Sequence, residues 1–586
     1  MHRFLLLSLP LLALHAEGWQ PPFPQPMLDD QAFAVAIISD VPRALALAES
    51  VVRLIDEDAV PGSLTQHLAE ALHLDPADLE QPGPALVGVG PGGAAPAVAL
   101  VLPMANAEAI AAAMTADGQN AIAHEGMVII ALVGPALDLG KRLAAQHPGI
   151  VANPPLTEIR ITVAPPRILQ AYQFMLPTLP TLAKSQMKDP DLAPFASMVG
   201  LTIATMLDAA ADLDLIQYDI AMDGTTLTAD AVVAAKVDSG LAHALVSPTQ
   251  PLSDDIAKRL GIEPGFLIAQ GSVATSAWWT WGMDLLEKQR QTPDGKAVLT
   301  DEIMDLGRRW QAQIVGPFAM RMRNLDSRVV NEGISQIVDA EQYRALIRET
   351  FLLFENSPMG AFFNKKLGHT FAYTEHAREI NGHPVDSLAL VPLDDQTDVA
   401  IDPEAVLIME MATEELHPTE YVFLDHYAMW SDHPQALDRL TEKPTASLPL
   451  SAAQTFGAGR DCYVDWYLIP QLQEQFRQQV RMMEGMNNGF DMGPMFKPVL
   501  ELPRGEAICI TSTCTHGRWG MELRFPLQPV RDLKIAFGEG QKNLRFEPGF
   551  PGDAPVPAPL PPGMENNDDP FAPVEEAEPA VPGMTP

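Results

Sequence analysis

The sequence has only three cysteines in 586 residues: Cys462, Cys509 and Cys514. So few thiols cannot make a disulfide framework. In a continuous strand, Cys509 and Cys514 would point to opposite faces about 16 Å apart, which is too far for a bond. A single bridge to Cys462 stays open, although buried free thiols are the more common outcome.

Basic residues are also scarce: 38 Lys and Arg stand against 75 Asp and Glu, giving a formal net charge of −37. A field of that sign repels phosphate backbones, so we expect no nucleic-acid partner. It would concentrate cations such as Ca²⁺ or a basic partner, and it also accounts for plain solubility. With 47% hydrophobic residues, the chain has a globular composition and can bury sizeable cores.

Long hydrophobic runs are missing too, since no run approaches the ~20 apolar residues that a membrane-spanning helix needs. The N-terminus, MHRFLLLSLPLLALHAEGW, has a short basic start, an apolar stretch over residues 4–14 and a small residue, Ala16. This pattern predicts a secretory signal peptide over residues 1–16. We expect an exported protein, periplasmic or extracellular, with no transmembrane segment after cleavage. The absence of a cysteine near the cut excludes lipoprotein attachment.

No strong catalytic signature occurs: G-x-S-x-G and H-E-x-x-H are both absent. GVGPGG, residues 88–93, has dinucleotide-site spacing, but a β-like run follows it instead of a helix, so we interpret it as a hairpin turn. SQMK, residues 185–188, has the Ser-x-x-Lys spacing of penicillin-recognising enzymes without their partner motifs, and is typical of a solvated helix end. We therefore predict no cofactor and assign no catalytic residue.

Six of the fourteen histidines fall within residues 369–433: His369, His376, His383, His417, His426 and His433. They lack the i+4 or i+2 spacing of a zinc site. The stretch around them predicts a hairpin with Asn381 and Gly382 at its turn. His376 would then share a face with Thr374 and Arg378 and point to solvent.

Three further clusters have both a chemical and a structural interpretation. An acidic loop is a loose Ca²⁺ candidate, although it lacks the EF-hand glycine. A methionine-rich loop over residues 482–495 suits Cu(I) or an apolar contact. A tryptophan stack suits sugar binding or, more simply, the core. Their residues are Asp394, Asp395, Asp398, Asp402 and Glu404; Met482, Met483, Met486, Met492 and Met495; and Trp278, Trp279 and Trp281.

Similar segments recur along the chain in the same order. AFAVAIISD and GFLIAQGSV, aligned at Phe33 and Phe266, are separated by 233 residues, as are the helix starts at Asn106 and Asp339. The Ala-Leu-Asp triplets at residues 136–138 and 436–438 are separated by 300 residues, and the turns at 223 and 516 by 293. Four colinear matches predict an internal duplication.

The duplication predicts two α+β copies, residues 31–245 and 264–540, each with a mostly antiparallel sheet covered by helices. The change of offset predicts about 67 inserted residues in the second copy, between 346 and 424. Residues 551–586 hold 11 prolines and seven acidic residues, and we predict a disordered tail there.

A secretory signal, two α/β copies, few cysteines, an acidic tail and the stretch DGTTLTADAVVAAKVDSGLAHAL resemble exported bacterial proteins built from a domain of unknown function. That resemblance implies export and a non-catalytic role, and it supplies no catalytic residues.

These observations favour an exported, non-enzymatic binding or structural protein of the bacterial envelope, with a groove between the two copies. Its partner would be an apolar ligand or another envelope protein. The alternatives are a secreted hydrolase whose site is assembled from distant residues, with Glu375, Glu379, His376 and His426 as candidates, and a copper or zinc carrier.

Overall fold

The computed structural model describes residues 29–55, 60–72, 74–79, 81, 83–93, 95–133, 136–187, 193–248, 254–260, 264–325, 328–357, 360–361, 369–392, 418–442, 461–485 and 493–543. The predicted signal peptide and the predicted disordered tail lie outside these residues. We call the described residues of 29–248 the first half and those of 254–543 the second half.

The first half contains eight strands and ten α-helices among its described residues. The strands are β1 (Ala34–Ile38), β2 (Ala85–Gly90), β3 (Ala97–Pro103), β4 (Ala121–His124), β5 (Met127–Val133), β6 (Ile159–Val163), β7 (Leu213–Asp223) and β8 (Thr226–Ala235). The helices are α1 (Val41–Ile55), α2 (Ser63–Leu72), α3 (Pro76–Leu79), α4 (Ala107–Ala116), α5 (Leu137–Ala144), α6 (His147–Ala152), α7 (Pro165–Ala171), α8 (Leu179–Gln186), α9 (Ala193–Ala211) and α10 (Gly240–Ala244).

The second half is richer in long strands. They are β9 (Leu267–Gly271), β10 (Ile314–Leu325), β11 (Arg328–Ile337), β12 (His369–Ile380), β13 (His383–Pro392), β14 (Thr419–Leu424), β15 (Tyr427–Ser431), β16 (Cys462–Trp466), β17 (Ile508–Thr515) and β18 (Arg518–Pro526). The helices are α11 (Asp254–Leu260), α12 (Thr275–Gln289), α13 (Pro293–Val298), α14 (Asp301–Gln313), α15 (Ala340–Glu355), α16 (Pro434–Thr441), α17 (Leu468–Gly485), α18 (Gly493–Leu500) and α19 (Gln528–Asn543).

All 18 strands of the described residues join one sheet, and every pairing among them is antiparallel. The pairings give the order β4-β5-β3-β2-β1-β6-β7-β8-β18-β17-β16-β9-β10-β11-β15-β14-β13-β12. The predicted α+β class with an antiparallel sheet is confirmed. The two halves meet where β8 pairs with β18.

Counted outward from that contact, the two halves have the same strand order. The first half runs β8-β7-β6-β1-β2-β3-β5-β4, and the second runs β18-β17-β16-β9-β10-β11-β15-β14. The second half then adds the β12–β13 hairpin at its outer end, where β13 pairs with β14. This hairpin lies between α15 and β14, within the range predicted for the insertion.

The registers match as well as the order. Ala34 pairs with Val89, and adding 233 to both gives Leu267 and Met322, which are paired with each other. The same shift carries the β2–β3 register onto the β10–β11 register.

Farther along the chain, the shift is larger. Ile122 pairs with Ile129, and adding 300 to both gives Val422 and Met429, which are also paired. The β7–β8 register maps onto the β17–β18 register at a shift of 292, one residue from the sequence value of 293.

Helices of the first half pack directly on helices of the second. Lys184 Nζ lies 2.7 Å from Asp294 Oδ1, and Trp281 Nε1 donates to Asp212 Oδ2 over 2.8 Å. These contacts tie the segment between β6 and β7 to the α12–α13 region of the other half. The halves therefore share helical packing as well as a sheet.

The structure changes some local predictions. The sequence predicts one helix over residues 166–187, but the chain forms α7, a short 3₁₀ turn (Leu176–Thr178) and α8. Pro177 and Pro180 lack the N–H that an unbroken helix would need there. Asn106 and Asp339 are both residue types that favour the N-cap position. The Asp339 carboxylate accepts from Gln342 N over 2.8 Å, while Asn106 makes no side-chain cap bond.

Candidate binding surface at the junction of the two halves

The centre of the sheet consists of β7, β8, β18 and β17, which we call the junction strands. Residues paired across antiparallel strands share a face, so the registers assign each junction residue to one of two faces. One face is almost wholly apolar and the other is mostly polar. We call them the apolar face and the polar face of the junction.

The apolar face spans both halves. Ile220 pairs with Ala229, Ala229 with Leu523, and Leu523 with Ile510, so a continuous apolar row crosses all four strands. Tyr218 is the most open side chain on this face, with 39% of its surface exposed. Apolar side chains of this face that remain at least partly exposed include Ile216, Tyr218, Ile220, Met222, Leu227, Ala229, Val233, Ala235, Ile510, Trp519, Met521, Leu523 and Phe525.

The polar face carries three carboxylates in consecutive cross-strand positions. Asp219 pairs with Asp230, and Asp230 pairs with Glu522. Arg160 on β6 neutralises the first of them, since its Nε donates to Asp219 Oδ1 over 2.6 Å. Thr511 Oγ1 donates to Glu522 Oε2 over 3.4 Å at the other end of the row.

Asp230 and Glu522 occupy equivalent positions, because adding 292 to 230 gives 522. They also pair with each other. The turn residues Gly224 and His516 determine that alignment, because they are the first residues of the two hairpin turns. Aligning the Asp223–Gly224 and His516–Gly517 dipeptides instead shifts the match by one residue and hides the acidic pair.

A buried group of charged side chains lies in the second half. Arg321 and Arg323 on β10 both donate through Nε to Glu332 Oε1, each over 2.6 Å. Glu332 is 0% exposed, and both arginines are at least nine-tenths buried. At the equivalent positions the first half has Gly88, Gly90 and Ala99. The same part of the fold therefore has no charged residue in the first half and three buried charged residues in the second.

The glycines of the first half make room for a helix. A Cβ on Gly88 would lie 2.3 Å from Leu143 Cδ1, and one on Gly90 would lie 3.2 Å from Leu139 Cδ2. Helix α5 packs its leucines directly onto β2 at these positions. GVGPGG thus forms the end of β2 and its connection to β3, which confirms the hairpin interpretation.

The inserted hairpin has its own buried carboxylate. Asp386 on β13 is 0% exposed and accepts from Arg344 Nε and Tyr373 Oη, each over 2.6 Å, and from the backbone N of His376 over 3.0 Å. Burial and the neighbouring Asp386 carboxylate raise the pKa of Tyr373 well above its usual range. The tyrosine therefore stays a neutral donor to Asp386.

The predicted hairpin turn at Asn381 and Gly382 is confirmed, and a bulge interrupts the strand at His376. The β12–β13 register shifts between Thr374 and Arg378, so the intervening residues form a bulge. His376 has a φ of 53° there, which breaks the alternation of side chains along the strand. Its side chain is exposed, as predicted.

The hydrolase candidates are not gathered in one cleft. Glu375 binds Arg348 Nη1 over 2.5 Å, and Glu379 is exposed farther along β12. His426 lies in the β14–β15 turn, where its Nδ1 is 3.2 Å from the carbonyl oxygen of Val338. Ser185 is exposed and donates to the Leu182 carbonyl.

The histidines and tryptophans have ordinary structural surroundings. Among the other histidines of the cluster, His433 is buried, His369 and His383 are partly exposed, and His417 lies outside the described residues. Trp278 and Trp281 pack edge to face at 5.4 Å between ring centroids, in the core that contains Cys462 and Cys514. Trp279 packs in a neighbouring core cluster. The predicted core role of the tryptophan stack is confirmed.

All three cysteines are buried and unbridged. Burial raises the pKa of the Cys462 thiol to about 12 and that of Cys514 well above its usual range. The acidic loop lies outside the described residues, as do residues 486–492 of the methionine-rich loop. No three His, Cys, Asp or Glu side chains among the described ranges are placed to hold a metal ion together.

One open depression of about 380 Å³ lies away from the junction, between α18 and α19. Its lining includes the charged residues Lys497, Glu501, Asp532 and Glu539. Within the described helices, none is both long and apolar enough to cross a membrane.

The chain matches no protein-family model, and no curated protein and no solved structure is significantly similar to it.

Proposed function

We propose that the protein is an exported, non-enzymatic binding protein of the bacterial envelope that holds an apolar small molecule on the apolar face of the junction. The observation that carries the proposal is the partly exposed apolar row that crosses both halves at the centre of the sheet. Apolar side chains left open to water bind apolar ligands because burial removes their surface from water.

The exposure of this surface argues for a small ligand. Apart from Tyr218, its side chains are only partly exposed. A stable protein interface needs about 800 Å² from each partner, mostly from more open side chains. A slender apolar molecule needs much less surface, and binding of an envelope protein instead is an outcome that the test below can reveal.

We further propose that the two predicted copies, residues 31–245 and 264–540, arose by internal duplication. The support is the common strand order and the registers that coincide at shifts of 233, 300 and 292. Two unrelated sequences would have to reach the same strand order and the same registers by chance. A duplicated fold joined edge to edge gives a symmetric central surface, which is where the proposed ligand lies.

Binding is tested with N-phenyl-1-naphthylamine, an uncharged apolar dye whose fluorescence rises when it leaves water. We expect saturable binding and a loss of affinity of about tenfold in Tyr218→Lys, because the new charge must be desolvated by the dye. Tyr218 is 39% exposed, so the variant should fold.

Thr228→Lys is the matched control. Thr228 is partly exposed on β8, on the polar face, and the change adds the same charge. We expect less than about a twofold effect there. Equal losses in both variants, or no saturable binding, would overturn the apolar-face proposal. Mass spectrometry of the native protein would distinguish a retained small molecule from a retained polypeptide.

Export is tested separately. The support is the charged, apolar and small-residue pattern of residues 1–16. We expect the protein isolated from its native cells to begin at or shortly after residue 17, measured by intact-mass spectrometry. A chain that retains residues 1–16 in the cytoplasmic fraction would refute export.

A further inference from the structure

The outermost strand of the second half, β12, pairs with β13 on one side only among the described residues. Its segment His369–Thr374 is in regular register with β13, and the bulge begins directly afterwards. At the opposite end of the sheet, the outer strand β4 has only four residues. Proteins normally shorten, charge or cover such edges, because open backbone groups pair with other strands.

Up to the bulge, the β12 edge carries no Asp, Glu, Lys or Arg and includes two aromatic residues, Phe371 and Tyr373. Phe371 is 37% exposed although it packs against Phe351 and Phe354, at 5.7 Å and 6.0 Å between ring centroids. Leu352 on α15 is 49% exposed. An edge intended to stay solvated would carry charge at these positions.

Leu352 also lies beside this edge. Arg348, one turn before it, binds Glu375, and Glu355, three residues after it, accepts a hydrogen bond from Thr370. Residues spaced in this way share one side of a helix. The side of α15 that carries Leu352 therefore follows β12 from the bulge to the start of the strand.

We propose that β12 is a dimerisation edge that pairs with β12 of a second copy of this chain, antiparallel and centred on Ala372. The segment HTFAYTE is self-complementary in that register. His369 lies opposite Glu375 of the second copy, Thr370 opposite Thr374, and Phe371 opposite Tyr373. An imidazole N–H of His369 can donate to the Glu375 carboxylate. Paired threonines and paired aromatics are likewise favourable cross-strand neighbours.

The bulge limits this pairing. The register shift after Thr374 twists the strand away, so the shared ladder ends near Glu375. Because the contact is isologous, each molecule uses its edge once and the assembly closes as a dimer. Leu352 and Phe371 then gain apolar neighbours from the second copy.

Ala372→Cys gives a direct test, because Ala372 lies opposite itself in this register. Directly opposed residues have Cα atoms about 4.5–5.5 Å apart, within disulfide range. We expect mild oxidation to produce a disulfide-linked dimer, seen on non-reducing gels. The native cysteines are all buried, so they should not interfere. Thr374→Cys is the control, since it lies opposite Thr370 and should not cross-link.

Charge exchange tests the register without cross-linking. His369→Glu places two carboxylates opposite each other, and Glu375→Lys removes the acceptor that faces His369. Each should weaken dimerisation, the first by about tenfold. The double variant His369→Glu/Glu375→Lys pairs opposite charges and should recover affinity. Glu379→Lys makes the same charge change at an exposed position of β12 beyond the paired segment and should have no effect.

Sedimentation equilibrium over about three decades of protein concentration measures each dissociation constant. A wild-type protein that stays monomeric throughout would overturn the proposal. So would a dimer that the single charge variants leave unchanged, or one in which Thr374→Cys cross-links as readily as Ala372→Cys. Dye binding at the junction is a separate readout, so failure of either proposal leaves the other intact.

Discussion

Replacing Glu332 by alanine is expected to lower the free energy of unfolding of the second half by about 3–5 kcal/mol, because two buried guanidinium groups lose their shared carboxylate. Arg321 and Arg323 are 3% and 5% exposed, so water cannot readily take its place. Urea denaturation followed by tryptophan fluorescence measures the change. A loss of less than about 1 kcal/mol would contradict the structural role assigned to this group.

Two further variants make the test specific. Asp305 forms an exposed pair with Arg309, and Asp305→Ala should change stability by less than about 0.5 kcal/mol. The triple change Arg321→Met/Arg323→Met/Glu332→Leu removes the whole charged group and should recover most of the loss. The first half supports this expectation, since it fills the equivalent positions without any charge.

Replacing Asp386 by alanine is expected to cost about 3 kcal/mol and to release the β12 bulge. The carboxylate serves Arg344, Tyr373 and the backbone of His376 together, and Arg344 is itself 7% exposed. Hydrogen exchange should rise across β12 and β13, because the backbone N–H of His376 in the bulge loses its acceptor. Denaturation measures the energetic part.

Asp438→Ala is the control for that variant. Asp438 is 46% exposed and contacts Arg378 at 3.3 Å on the same hairpin, so its loss should change stability by less than about 1 kcal/mol. Faster exchange in the hairpin after Asp438→Ala, equal to that of Asp386→Ala, would show that the bulge does not depend on Asp386.

Much of the fold is predictable from local patterns. Alternating apolar residues predict a strand over 226–235, which are the bounds of β8. The sequence also predicts a helix over 41–55, which are the bounds of α1. Asn381-Gly382 predicts the β12–β13 turn because both residues tolerate positive φ. These features depend on a few neighbouring residues, which the sequence shows directly.

Long-range features could not be predicted in the same way. Nothing local indicates that β8 pairs with β18, since that contact joins residues almost 300 positions apart. The alternating Met and Arg residues 320–323 are typical of a strand with one solvated face, yet both arginines are buried with Glu332. The bulge at His376 is hydrogen-bonded to Asp386, a residue of the neighbouring strand.

Under the proposed duplication, the pairing of Asp230 with Glu522 indicates how the ancestral, unduplicated chain assembled. In an unfused ancestor, β8 would have met the same strand of another molecule, and one acidic side chain would have faced its own copy. Such an assembly disappears on dilution, whereas a covalent connection keeps the halves together at every concentration. The two halves differ in these places: the first has glycines beneath α5, whereas the second has buried arginines and an outer hairpin.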